Sequence, residues 1–121
     1  MGYREQMERL TNSVQGVVAC TLMGFDGIAI DTIYNGGIDI DIPTLLTEYS
    51  AATMQMQRAA ETQVTSGNVA DVTINTDTLT AVLRPLSSEY FLAVVLLPGA
   101  IVGKARYFLR VIAPYVVEDI L

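Results

Sequence analysis

The stretch Val17-Val18-Ala19-Cys20-Thr21-Leu22-Met23, then Gly24-Phe25-Asp26-Gly27, then Ile28-Ala29-Ile30-Asp31-Thr32-Ile33, decides how this chain reads. An uncharged run from Val17 to Met23 without clear alternation predicts a strand buried on both faces. Asp26-Gly27 is a turn signal, because glycine reaches the positive φ that a tight reversal needs. Ile28 to Ile33 reads as the returning strand, so the chain makes a hairpin early.

Upstream of the hairpin, Tyr3, Met7, Leu10 and Val14 recur at helical spacing, with Arg4, Glu5, Glu8 and Arg9 on the other side. That predicts an amphipathic helix over residues 3–14, ending near Gly16. Downstream, past Asn35-Gly36-Gly37, Asp41 and Pro43 mark a second helix start: aspartate caps exposed amides and proline suits a first turn. This helix is expected to run to about Val64. Only Glu48, Arg58 and Glu61 are charged between Thr44 and Val64, while Leu45, Tyr49, Ala52, Met56 and Ala59 form one stripe, with Leu46, Met54 and Ala60 off it. A single buried face does not account for so apolar a helix.

Three strands are expected next, over Val69–Asn75, Leu79–Leu86 and Tyr90–Leu97, forming a meander. A last helix starts near Ile101, with Ala105, Phe108, Leu109, Ile112, Val116 and Ile120 inward and Lys104, Arg106 and Arg110 outward; Pro114 is expected to kink it. Val17–Met23 and Tyr90–Leu97 lack clear alternation and belong in the centre of a sheet, whereas Ala70, Val72 and Ile74 alternate with Asp71, Thr73 and Asn75 as in a one-sided strand. Joining hairpin neighbours gives the order 2-1-5-4-3. The expected fold is α+β: a five-stranded antiparallel sheet, the long middle helix on one face and the two terminal helices on the other, as a single domain over residues 1–121.

A chain of 121 residues, 51% hydrophobic and 17% charged, has the length of one core and enough apolar material to fold. Its 7 basic and 13 acidic residues give a net charge of −6, which argues against nucleic acid and anionic membrane as partners. Histidine is absent, removing the usual neutral-pH proton shuttle and the commonest transition-metal ligand. Cys20 stands alone, so a reducing cytoplasm is the expected compartment. Neither the polar start nor the apolar run Phe91–Gly103, interrupted by Pro98, predicts a signal peptide or a membrane span.

Gly99-Ala100-Ile101-Val102-Gly103-Lys104-Ala105 lies between a strand and a helix, as a phosphate-binding loop does. It has three residues between its glycines rather than four, and Ala105 where a magnesium-holding hydroxyl belongs, so it reads as a helix start. Asp39-Ile40-Asp41 lacks the glycine and terminal glutamate of a calcium loop. No catalytic, cofactor or metal residues are assigned.

Two surfaces are more informative. Phe25 either projects from the hairpin tip, flanked by Asp26 and Ile28, where burial against a partner would contribute roughly 1.5 to 3 kcal/mol, or folds back onto a helix end; the loop geometry decides between the two. The third strand is an exposed edge beside an over-apolar helix, a hazard unless paired. A two-fold homodimer would cover both edge and helix, with Tyr49, Ala52, Thr53, Met56 and Ala59 on the helix and Asp71, Thr73 and Asn75 on the strand as its interface; the alternative is a monomer whose edge is short and whose long helix is a well-buried core helix.

Taken in order, Gly16 to Ile28, Leu83-Arg84-Pro85-Leu86, Tyr90-Phe91-Leu92, Gly103-Lys104-Ala105-Arg106 and Leu109-Arg110 resemble the Roadblock / dynein light-chain domains, over nearly the whole chain. The resemblance implies a non-catalytic dimerisation module related to longin domains, in which edge strands pair into one continuous sheet and the middle helices meet across the two-fold axis. Such modules work with Ras-like small GTPases. Bacterial members include the Mgl regulators of gliding motility and cell polarity, where MglB acts on the GTPase MglA and MglC acts on MglB; the short ends and the Phe25-Asp26-Gly27-Ile28 tip look more like the MglC kind. A cytoplasmic homodimeric adaptor is therefore expected, binding an MglB-like Roadblock protein through Phe25, Asp26 and Ile28. Direct activation of an MglA-like GTPase is the second reading, and nucleotide hydrolysis at Gly99–Lys104 the third.

Overall fold

In the computed structural model, which describes residues 2–121, the elements run α1 (Tyr3–Ser13), β1 (Val17–Gly24), β2 (Ala29–Tyr34), α2 (Ile42–Glu61), a 3-10 turn (Val64–Ser66), β3 (Val72–Asn75), β4 (Thr80–Pro85), β5 (Tyr90–Leu96) and α3 (Val102–Ile120). The five strands form one antiparallel sheet in the order β2-β1-β5-β4-β3. β1 is buried along its whole length and β5 along all but its first residue, which is why neither shows alternation in sequence.

Two apolar layers flank the sheet. On one side Met7 and Leu10 of α1, Val14 just after it, and Ala105, Leu109, Ile112 and Val116 of α3 pack on Cys20, Leu22, Val82, Leu92, Val94 and Leu96. On the other, Ile42 and Leu46 of α2 pack on Ala19, Met23, Ala81, Leu83, Phe91, Ala93 and Val95. The terminal helices lie side by side, with Tyr3 N–H donating to Asp119 Oδ2 at 2.9 Å. α3 continues through Pro114 as one helix.

The start of α2 follows its sequence: Asp41 accepts the Thr44 amide at 3.2 Å, and Pro43 sits in the first turn. Its core face runs beside the stripe that the sequence assigns to a dimer interface. Ile42, Leu46, Ser50 and Thr53 are the buried positions, and no α2 residue beyond Thr53 is buried. The helix ends at Glu61, short of Val64, where Thr62 Oγ1 donates to Ala59 O and Ser66 Oγ to Ala60 O, adding to the Thr62 and Gln63 amides that the same carbonyls accept.

β3 begins at Val72, not Val69, and is four residues long. The reason lies in α2: Gln57 accepts the Val69 amide at 2.9 Å on Oε1 and donates from Nε2 to Asn68 Oδ1 at 3.1 Å. One glutamine thus holds the chain before β3 along the helix.

Candidate functional site

The β1–β2 turn is held by four hydrogen bonds. Gly24 N–H donates to Ile28 O (2.9 Å), Gly27 N–H to Gly24 O (3.0 Å), Phe25 N–H to Glu89 O (2.8 Å), and Ile28 N–H to Asp26 Oδ1 (3.0 Å). Gly27 has φ of 89°, which an L side chain rarely adopts, so Asp26-Gly27 fixes the reversal. The bond to Glu89 ties this tip to the β4–β5 turn, making the two turns one rigid end of the sheet.

Phe25 does not project from that end. Its ring turns inward onto Phe91, with centroids 5.0 Å apart at 44°, and it is half-buried at the rim of the α2-side core. The ring finds apolar partners within its own chain, which the sequence reading did not place beside it. Ile28 is the residue that faces solvent, 67% exposed, next to exposed Asp26. Ile30 and Tyr34 continue the exposed apolar side chains along β2, and that row was not singled out from sequence. Their even numbering suggests one face, but a bulge between the Leu22–Asp31 and Met23–Ala29 pairs breaks the alternation at Ile30, and Ile28 precedes the strand.

Behind Phe25 opens a groove of about 590 Å³ between α2 and the β4–β5 turn, lined among others by Met54, Gln57, Arg58, Pro85, Leu86 and Ser87. Met54, off the helix stripe read from sequence, becomes a groove residue for that reason.

The second surface joins the last turns of α2 to β3. Along the expected stripe Tyr49 and Ala52 are half-buried, while Met56 and Ala59 are exposed, so the stripe is increasingly uncovered toward the helix end. Thr53 does not belong to this surface. It is buried against the sheet, 1% exposed, with its hydroxyl donating to Tyr49 O at 3.0 Å. Asp71 is engaged within its own chain: Arg106 Nη2 donates to both carboxylate oxygens at 3.2 and 3.4 Å, and Arg84 Nη1 lies 3.9 Å away. A groove of about 680 Å³ separates Met56, Ala59 and Ala60 from Ala70, Val72 and Arg106.

Thr73 and Asn75 are exposed, and their backbone matters as much as their side chains. Thr76 N–H donates to Leu79 O at 2.9 Å, so by antiparallel alternation Ile74 and Val72 exchange bonds with Ala81 and Leu83. The amide and carbonyl of Thr73 and Asn75 therefore point away from β4.

Gly99 to Lys104 behaves as a helix start: Ala100 N–H bonds to Leu97 O, and Lys104 and Ala105 N–H to Ile101 O, which withdraws those amides from any phosphate. Among the described residues no three of Cys, Asp and Glu cluster as a metal site. Cys20 is fully buried, and loss of hydration pushes its thiol pKa up to about 12, so it is protonated and unreactive at neutral pH. No described helix is long and apolar enough to cross a membrane.

No protein-family model and no curated protein sequence matches the chain. Solved structures do. MglC from Myxococcus xanthus is 36% identical over 99% of this chain and 100% of its own, with a TM-score of 0.70. A Roadblock/LC7 domain from Streptomyces avermitilis is 19% identical, over 95% of this chain and 98% of its own, at a TM-score of 0.73. The gliding protein MglB from Thermus thermophilus is 12% identical, over 97% of this chain and 87% of its own, at a TM-score of 0.82. The last two likenesses establish the fold; the first adds sequence along the whole chain.

Proposed function

This chain belongs to the Roadblock/LC7 family and resembles its MglC members, and from that premise we propose that it is a non-catalytic homodimeric adaptor in a Ras-like small-GTPase module governing bacterial polarity or gliding. It acts by binding an MglB-like Roadblock protein through the β1–β2 tip. Two copies join through β3 and the exposed end of α2, and each copy offers one tip.

The observation behind this reading is the tip itself. Ile28 is 67% exposed on a turn held by Asp26 and tied to Glu89, so an apolar contact is presented with little conformational freedom to lose on binding. Phe25 supports the turn from behind through Phe91 rather than acting as the free anchor.

Ile28→Arg tests it, because the side chain is in solvent and its replacement leaves the core untouched. Titrated into the MglB-like protein of the same organism, this variant should bind at least about tenfold more weakly than wild type while sedimenting identically. Equal affinity would discard the tip. GTP turnover by the cognate GTPase, with and without the chain and without the MglB-like protein, separates an adaptor from a direct activator: acceleration by this chain alone favours the activator.

A further inference from the structure

α3 carries Lys104, Arg106 and Arg110 in its first half and no carboxylate before Glu118. Arg106 and Arg84 share the single carboxylate of Asp71, which leaves that trio cationic. Among the described residues neither Lys104 nor Arg110 forms an ion pair. Four cations thus stand against one carboxylate in a chain whose net charge is −6, so the rest of the surface is strongly acidic.

The patch has an aromatic centre. Tyr107 is 51% exposed between these side chains on the outward side of α3, and the Arg110 guanidinium lies over its ring, 5.6 Å from the centroid. Tyr107 in turn meets Phe108, which packs on the core, edge to face at 5.4 Å. An arginine stacked on a braced tyrosine loses little side-chain freedom on docking, and this pair of residue types is enriched where binding energy concentrates. α3 covers the sheet face opposite α2 and Phe25, so the patch is separate from the tip.

We propose that this α3 face is a second docking surface, for an acidic segment of a protein partner, with Tyr107 as the anchor and Lys104, Arg106 and Arg110 as its charged rim. Charge complementarity selects the occupant. A nucleic acid or an anionic membrane extends its charge past a patch only a few turns of helix long and onto the acidic remainder, where it is repelled; a short acidic segment ends within the patch. Together with the tip, this gives the chain a contact on each side of its sheet.

The probe is a short fluorescein-labelled peptide of Glu-Glu-Leu repeats, followed by anisotropy against the full chain. Saturable binding should weaken as salt rises, fall at least about tenfold in Lys104→Glu/Arg110→Glu, and fall several-fold in Tyr107→Ala, which changes no charge. Ile28→Arg should bind the peptide like wild type, so failure of the tip and failure of this surface are told apart. Matching thermal unfolding of each variant and wild type excludes misfolding as the cause. Equal binding by wild type and the charge-reversed variant, no loss in Tyr107→Ala, or tighter binding to a DNA duplex or phosphatidylserine vesicles than to the peptide overturns the proposal.

Discussion

β2 spans six residues and β3 only four, yet it is β2 whose outward backbone is guarded. Asn35 N–H donates to Val18 O, so alternation turns the Thr32 and Tyr34 amides away from β1. Thr32 N–H is then taken by Asp31 Oδ1 at 2.9 Å, and Arg4 of α1 grips the same oxygen at 2.6 Å. The hydrogen bond to Asp31, with the carboxylate's charge behind it, raises the Arg4 pKa. At β3 Asp71 lies before the strand and is drawn off by Arg106 and Arg84, and no ion pair holds a carboxylate over the strand among the described residues. A charge held over an edge strand is a known defence against strand addition. Edge length is therefore a poor guide here: the longer edge is closed at its centre, and the shorter one keeps its Thr73 and Asn75 backbone groups pointing outward.

The largest effect expected of this contrast is on assembly. Thr73→Pro removes an amide that points away from β4, so it strikes the outward side of β3 while sparing the ladder within the chain. We expect wild type to sediment as a dimer and the variant at 13.1 kDa, with an unchanged far-ultraviolet spectrum. A variant that stays dimeric would falsify pairing through β3.

A smaller effect is expected at the guarded edge. Asp31→Ala frees the Thr32 amide beside exposed Ile30 and Tyr34, so species larger than the dimer should form as concentration rises. Arg4→Ala leaves Asp31 on Thr32 and should act in the same direction more weakly. If both variants sediment like wild type, Asp31 is not what keeps β2 unpaired.

Much of this was legible in the sequence, and the losses have one cause. Hydrophobic period and turn residues placed the helices, the strands and the strand order, because those depend on neighbours in the chain. What escaped were contacts between residues far apart: Gln57 reaching Val69 and so shortening β3, Phe91 receiving Phe25, Arg106 and Arg84 drawing off Asp71. On α2 it was the core face that went unread. Leu45, Tyr49, Ala52, Met56 and Ala59 do share a helix face, but the sheet takes the neighbouring face that runs through Leu46 and Thr53, whose polar residues Ser50 and Thr53 turn their hydroxyls back onto the helix's own carbonyls. For the tip, sequence placed Phe25, Asp26 and Ile28 together but left open whether Phe25 projects or folds back, because that depends on Phe91, which is far away in the chain.

The finest test of the comparison uses the strand between β2 and β5. Cys20 pairs with Ile33 on one side and Val94 on the other and is wholly buried, so it reports whether the interior opens when an edge is altered. At neutral pH a thiol reagent should leave it untouched in wild type, in Thr73→Pro and in Asp31→Ala, and label it only on unfolding; rapid labelling of a variant assigns its change in mass to lost folding rather than to the edge. The same burial sets a pH dependence. Folding raises the Cys20 pKa from 9.0 to about 12, so its contribution to stability is complete below pH 9 and is lost as pH climbs toward 12, because the unfolded chain ionises first. Cys20→Ala should lessen that alkaline loss, while costing some stability at neutral pH through the space it leaves. An unfolding midpoint with the same alkaline slope in both proteins would mean that the β1 interior admits water, and that the edges do not enclose it as tightly as the hydrogen bonds at Thr32 imply.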